Sequence, residues 1–385
     1  MRKIRKICVV SSSRADYNHL YLLLDNIKKA KDFKLQLVVT GMHLLRQYGL
    51  TYKELLDDGF TIDSKIPIHQ HGKNTHELLK SMSKQLQTSY AVFKKLSPDI
   101  IIILGDRYDV LPVAITANIM GKPLVHIHGG EVTQGVIDDS IRHSLTKMSH
   151  IHLVATNEFK KRVVQLGENK KNIFCIGSLG VSSLFTTPKF IKKDIVKYFN
   201  IKKSKKYFIV CVHPETVGQQ NKLLIENTLR SLEYFTDFGL IFSYPNSDPG
   251  NFEILNKIKK FIKNNKERSI LIRSAGRKYF INLLRHSNAI IGNSSTGIVE
   301  APALSIPTIN IGDRQKGRPI AASITNVKAN VKSIITAIKK SQMHEKAART
   351  KLQYPKNDSV KKVLQILKAV DLKSITLKRF CDLKT

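Results

Sequence analysis

Short apolar runs recur along the whole chain, each ended by a turn rich in Gly, Ser or Asp and followed by a helix-like stretch, and no other feature limits the fold as much. Ile7-Cys8-Val9-Val10 reads as a buried strand, followed by the turn Ser11 to Tyr17 and a helix over 19–29 with Leu20, Leu22, Leu23, Leu24 and Ile27 on its apolar side. A strand over 33–40 then ends at Gly41-Met42-His43. Strand, helix, strand in this rhythm predicts a parallel sheet. Such sheets take ligands at their strands' carboxyl ends, where Arg14 and His43 fall. A strand over 99–104 runs into Gly105-Asp106-Arg107, and one over 123–127 into His128-Gly129-Gly130-Glu131. Charges at a sheet rim are costly to bury for structure alone. The helix that opens Asp138-Asp139-Ser140-Ile141-Arg142-His143 puts Asp138 and Arg142 on one face. That spacing alone fits either a surface ion pair or working groups. Strands over 151–155 and 172–176 complete the series.

From about 181 to 206 the pattern weakens and lysines thicken, and a second series follows. Strands are expected over 207–212, 239–243, 268–272, 289–291 and 308–311, with a helix over 221–235 and a last helix over 360–370. The strand at 289–291 runs through Gly292-Asn293-Ser294-Ser295-Thr296-Gly297 into a helix, which leaves backbone N–H groups unpaired at the positive end of the helix dipole. That arrangement suits phosphate, and an ordinary capped turn is the competing explanation. The expected fold class is therefore α/β with two Rossmann-like domains facing a cleft. The divisions are 1–185, carrying acid/base residues, 186–358, binding an anion, and 359–385, a helix and tail crossing back to the first domain.

Composition narrows the function. The 385 residues carry a formal charge of +34, but the lysines are scattered and no basic stripe is interleaved with aromatics. Nucleic acid is therefore not an expected partner; a basic surface would instead steer a small anion. No run approaches the ~18 apolar residues of a membrane span, and the basic start Met1 to Lys6 precedes too short an apolar run for a signal peptide. A cytoplasmic protein without membrane attachment is expected. The four cysteines form no Cys-x-x-Cys pair, which argues against a disulfide framework or zinc. Gly-x-Gly-x-x-Gly after the first strand, the P-loop and zinc-helix His-Glu spacing are all missing. No cofactor and no metal are expected.

The second series ends its strands in His213, Asn246, Asn293-Ser294-Ser295, Glu300 and Arg314, while the first offers Asp106, His128, Glu131, Asp138 and His143. Anion recognition paired with proton-transfer groups suits chemistry on a nucleotide-linked sugar. The ordered set Ser-Arg-Ala-Asp-Tyr (13–17), Thr-Gly-Met-His (40–43), Gly-Asp-Arg-Tyr-Asp (105–109), His-Ile-His-Gly-Gly-Glu (126–131), Asp-Asp-Ser-Ile-Arg-His (138–143), Gly-Ser-Leu-Gly (177–180), His-Pro-Glu-Thr (213–216), Gly-Asn-Ser-Ser (292–295) and Gly-Asp-Arg-Gln-Lys-Gly-Arg (312–318) resembles the hydrolysing UDP-N-acetylglucosamine 2-epimerases of sialic acid and legionaminic acid biosynthesis.

The resemblance, over about 5–325, implies a GT-B-like fold, a UDP-sugar substrate, a homo-oligomer (dimer or tetramer) and anti-elimination of UDP followed by hydration with inversion at C2. It implies Asp106 and Asp138 as acid/base carboxylates, with Arg142 and His213 among the catalytic groups. His213 would contact the diphosphate, Ser294 and Ser295 cradle it, and Arg14, Arg107 and Arg314 support it. Asn246 would line the nucleotide pocket and Glu300 hold the ribose. Many relatives carry Glu where this chain has His128, so a catalytic role there passes to His128 or to nearby Glu131. The segment Arg277-Lys278-Tyr279 lacks the Pro-Phe that supplies an aromatic near uracil in relatives, which leaves uracil stacking unassigned. UDP-N,N'-diacetylbacillosamine is an alternative substrate. The alternative activities are a non-hydrolysing 2-epimerase, which would accumulate the epimeric UDP-sugar, and a GT-B glycosyltransferase, which would leave C2 unchanged.

Overall fold

The computed structural model describes residues 4–68, 75–201, 206–216, 221–343, 353–354 and 359–383. The chain divides into two compact units, Met1–Val132 with Ile137–Ser183 and Tyr354–Thr385, and Thr133–Val136 with Leu184–Gln353.

The first unit holds strands β1 (Arg5–Ser11), β2 (Phe33–Val39), β3 (Ser64–Lys65), β4 (Ile100–Leu104), β5 (Leu124–Ile127), β6 (Ile151–Val154) and β7 (Ile173–Cys175). Among the described residues they form a seven-stranded parallel sheet in the order β3-β2-β1-β4-β5-β6-β7. Residues alternate between its two faces: Ile7, Val9, Ile100 and Ile102 enter one core, and Cys8, Val10, Ile101 and Ile103 the other. Burial on both faces explains why these strands read as unbroken apolar runs. Each fully buried Val or Ile stabilises by roughly 1.5–3 kcal/mol. The helix Ser359–Ala369 adds Val363 and Leu367 to the first of these cores.

The second unit repeats the plan with β8 (Tyr207–Cys211), β9 (Gly239–Ser243), β10 (Ser269–Ile272), β11 (Ala289–Gly292), β12 (Thr308–Ile311) and β13 (Ile324–Val327), in the parallel order β10-β9-β8-β11-β12-β13. Phe208 and Val210 face one core, Tyr207, Ile209 and Cys211 the other. Both units are thus Rossmann-like α/β layers, the fold class expected from the sequence. Strand order reverses between β1 and β4 and between β8 and β11, and ligands bind at the carboxyl edge of such reversals. Among the described residues no helix is long and apolar enough to cross a membrane.

Candidate functional site

In the first unit the reversal is built on the helix Arg14–Lys29. Its N-cap Ser13 and the N3 residue Asp16 form a capping box. In it the Asp16 carboxylate accepts from Ser13 N at 3.0 Å, and it also accepts from Ser12 N at 2.9 Å. Burial pushes the Asp16 carboxyl up despite these bonds. Arg14, half-buried, starts this helix at the strand edge. Arg107, after β4, places Nε 3.5 Å from Oδ2 of the fully buried Asp109. His43 falls near the strand ends as expected, but its ring is fully buried, with Nε2 2.9 Å from Ser11 Oγ and Nδ1 2.8 Å from Thr51 Oγ1. Burial pushes it down to about 3, which makes it a neutral structural group.

The proton-transfer candidates gather beside β4 and β5. Arg142, on the helix Asp138–Met148, is 1% exposed and so does not form a surface ion pair. Its guanidinium bonds Asp106 Oδ2, Asp139 Oδ1 at 2.9 Å and the Glu131 carbonyl at 3.0 Å. One buried cation therefore holds the residue after β4, the loop after β5 and the helix's first turn together. Asp138 opens that helix at 5% exposure. His143, one turn on, lies 3.6 Å from Asp139, and burial lowers its pKa.

His128 follows β5 with φ at +67°, a left-handed conformation that is costly for a side chain with a Cβ. Its Nδ1 donates to Glu131 Oε1 at 2.7 Å. Its Nε2 is buried and has no hydrogen-bond partner among the described residues. The His19 ring meets it edge-on at 5.3 Å. His126 is different: Nε2 donates to Gly105 O at 2.7 Å and Nδ1 accepts from Thr146 Oγ1 at 3.1 Å. Burial holds it down to about 3.

In the second unit the reversal is built on Asn293, fully buried after β11. Its Oδ1 accepts from His213 N at 2.7 Å, its Nδ2 donates to His213 O at 2.9 Å, and its own N donates to Cys211 O at 3.0 Å. Gly292 before it has φ at +132°, and a Cβ there would lie 2.0 Å from Cys211 O, so only glycine fits. The Asn293 side chain thus clips the end of β8 to the end of β11 and serves as scaffold. Ser294 is the N-cap of the helix Ser295–Ala303, its Oγ accepting from Thr296 N at 3.3 Å. Ser294 and Ser295 are half-buried at the positive end of that helix. Glu300 is half-buried five residues on, roughly 7.5 Å along the axis.

His213 Nδ1 accepts from Asn246 N at 3.1 Å, which places the ring proton on Nε2 as a donor. The Asn246 amide bonds Asp248 Oδ2. Arg314 donates to Asn293 O at 3.4 Å and lies 3.8 Å from Asp248 Oδ2. Its loop is held by Glu215 Oε1, which accepts from Asp313 N at 2.9 Å and Arg314 N at 3.1 Å. Burial raises the Glu215 carboxyl. Gln315 Nε2 adds a 2.9 Å bond to Asn293 O. His213, Asn246 and Arg314 therefore share one hydrogen-bonded frame with Asn293. Tyr279 stacks on Tyr198 at 3.7 Å and packs against Phe190, so its ring is committed to a local aromatic cluster.

The family model described as UDP-N-acetylglucosamine 2-epimerase matches residues 25–368. The chain belongs to that family. A Campylobacter jejuni protein named GDP/UDP-N,N'-diacetylbacillosamine 2-epimerase (hydrolyzing) is 41% identical over 328 residues, 85% of each chain. The Escherichia coli polysialic acid biosynthesis protein P7 is 39% identical over 88% of this chain and 86% of its own. A Neisseria meningitidis UDP-GlcNAc 2-epimerase, solved bound to UDP-GlcNAc, superimposes with a TM-score of 0.79 at 16% identity, over 94% of this chain and 99% of that one. At that identity the likeness is one of fold.

Several supporting groups of this family member carry no role in the sequence reading. Asp139, Asp109, Asp248, Glu215 and Gln315 each hold a neighbour: Asp139 and Asp109 bond within their own segments, while Glu215 and Gln315 reach partners on other loops and Asp248 does both. Asp109, Asp139, Glu215 and Gln315 stand inside the quoted motifs, and that adjacency is the signal that points to them.

Proposed function

We propose that this family member is a hydrolysing 2-epimerase of UDP-linked 2-acetamido sugars. The observation that carries the reading is the assembly around Arg142, where Asp106, Asp139 and the Glu131 backbone are held by one buried guanidinium beside the His128–Glu131 pair. Groups fixed in this way can move protons without first reorganising.

The C2 hydrogen of such a sugar is not acidic, because no carbonyl is attached to that carbon. Its removal must therefore accompany loss of the leaving group. A base takes the C2 proton, the C1–O bond breaks, UDP leaves with the electron pair and a C1=C2 double bond forms. Water then adds its oxygen to C1 and a proton returns to C2 on the other face, releasing a mannose-configured sugar. In this scheme Asp106 and Asp138 are the acid/base carboxylates, and His128 exchanges a proton through Nε2 while Glu131 holds Nδ1–H. Arg142 holds Asp106 in place.

In the second unit Ser294, Ser295 and the first N–H groups of their helix would cradle the diphosphate, as helix N-termini do. His213 Nε2 and Arg314 would donate to it, Asn246 would border the nucleotide and Glu300 would accept from the ribose hydroxyls. Arg14 and Arg107 add positive charge for the anion. Stabilising the departing diphosphate is the largest expected contribution to the rate.

UDP-N-acetylglucosamine is the first candidate sugar nucleotide, from the family's description. A second reading, UDP-N,N'-diacetylbacillosamine, is favoured by the name of the 41% identical Campylobacter relative. Purified protein incubated with each is expected to release UDP together with the free mannose-configured sugar. Accumulation of the epimeric UDP-sugar would overturn the hydrolysing assignment, and the ratio of kcat/KM values chooses between the sugars.

A further inference from the structure

The helix Asp138–Met148 carries Asp138, Asp139 and Arg142 at its amino end, and that end has no side-chain cap, since its N-cap residue is Ile137. Its carboxyl end is capped from far away in sequence. Lys378 Nζ donates to the carbonyl of Lys147, to Ser149 O at 2.6 Å and to Thr146 O at 3.4 Å, and lies 2.8 Å from Glu168 Oε2. A cation on the last carbonyls of a helix satisfies orphan acceptors and complements the dipole.

The pieces around this cap lock it in place. Glu168, 3% exposed, also takes Lys147 Nζ at 2.7 Å and His152 Nε2 at 2.9 Å. The Phe380 ring lies under Lys147 Nζ at 4.8 Å and covers Gly167, where a Cβ would approach the ring to 2.4 Å. Cys381 N donates to Gly167 O at 2.9 Å. Upstream, Asp371 fixes the turn into the tail by accepting from Lys373 N at 3.0 Å and Ser374 Oγ at 2.6 Å. A stretch without regular secondary structure thus presents one ammonium to one helix end.

We infer that Lys378 is a positioning residue for the proton-transfer helix: by clamping the carboxyl end of Asp138–Met148 it sets the axial position of Asp138 and Arg142. The helix is about 16 Å long, and a rigid rod of that length carries a displacement at one end to the other. Misplacement of an acid/base group by about 1 Å can cost a hundredfold in rate. The inference rests on the proposed function, and its physical half can be measured without it.

The test is Lys378→Gln in the full chain, with Lys378→Arg as the conservative variant. The expected result is a fall in kcat of about tenfold, with KM and UDP affinity within twofold of the parent and partial recovery in Lys378→Arg. Amide hydrogen exchange along Asp138–Met148 should speed up about tenfold while helices of the second unit stay unchanged. Unchanged kcat, or unchanged exchange in that helix, overturns the inference. If Lys378→Gln does not fold, Phe380→Ala, which loosens the tail and leaves the ammonium present, must show the same kcat-over-KM split on a smaller scale, or the inference fails. A parent protein without epimerase turnover would defeat the proposed function alone, and the exchange measurement would still decide the cap.

Discussion

Nδ1 of His128 donates to Oε1 of Glu131 at 2.7 Å, while Nε2 of the same ring is buried without a partner among the described residues. This bond fixes the tautomer and divides the work, with Glu131 orienting and His128 presenting. Asn tolerates the left-handed backbone required at 128 better than most residues. His128→Asn should therefore fold normally and lose roughly 10²–10⁴-fold in kcat, the usual weight of a proton-transfer group. Glu131→Gln, which keeps an oxygen for Nδ1–H but no charge, should lose less. Steady-state kinetics on both variants checks the order, and an Asn variant within threefold of the parent would remove His128 from the chemistry.

His128 also shows where the sequence was legible and where it was not. That a His stands at the end of β5 was readable, because β-branched runs buried on both faces announce the strands and hence their ends. Its positive φ and its bond to Glu131 were not, since neither leaves a periodic trace. The helix Thr75–Leu96 was not read, although Leu78, Met82, Leu86 and Phe93 recur along it at helical spacing. Its most buried side also carries Ser81, Gln85 and Ser89. Gln85 there bonds Thr40 Oγ1 at 2.9 Å and Asp109 O at 3.0 Å, a polar substitute for packing. The edge strand Ile324–Val327 is short and half-exposed, and was missed too. Among site groups, Arg142 was noticed through its spacing from Asp138, but its ties to Asp106 and Glu131 O span loops that only the folded chain brings together.

Asp106 is expected to be the most sensitive carboxylate. Asp106→Asn removes the charge that faces the Arg142 guanidinium, and should nearly abolish turnover while UDP affinity, assigned to the second unit, stays within about threefold. Isothermal titration with UDP alongside a turnover assay separates the two effects. Substantial surviving turnover would show that another group performs the acid/base step.

Asn293→Ala should fail differently. It deletes both side-chain bonds that clip His213 to the end of β11, at a fully buried position. Loss of a buried bonded pair costs about 1–3 kcal/mol for each group left unpaired. Stability should fall by a few kcal/mol and UDP binding should weaken at least tenfold, although Asn293 is not expected to touch the nucleotide. Urea unfolding and UDP titration provide the two readings, and a variant that is destabilised but binds UDP normally would detach His213 from diphosphate recognition.

Acid stability should be governed in part by His43 and His126, both held near 3 by burial against an ordinary value of 6.5. The folded state keeps them neutral, whereas the unfolded chain takes up protons below 6.5. Their contribution is therefore present above that value and is lost as pH falls towards 3. At pH 5 each should cost roughly 2 kcal/mol. His43→Gln should flatten the dependence of unfolding free energy on pH between 7 and 5 by about that amount, whatever it does to stability at pH 7. An unchanged slope would mean that His43 titrates normally in the folded protein.

Asp109 has the opposite sign. Burial pushes its carboxyl up from 3.8 to about 6 against the pull of Arg107, and Oδ1 has no hydrogen-bond partner among the described residues. A raised carboxyl favours the folded state at low pH, because the native protein holds the proton more tightly than the unfolded chain. That advantage is complete below about 3.8 and is lost as pH rises through 6. At pH 8 the ionised, buried carboxylate should cost on the order of 3 kcal/mol relative to its protonated form. Asp109→Asn, which leaves one oxygen for Arg107 and carries no charge, should therefore be more stable than the parent at pH 8 and gain progressively less as pH falls to 4. Unfolding curves at several pH values measure this directly, and a variant less stable than the parent at pH 8 would show that the ion pair with Arg107 outweighs burial.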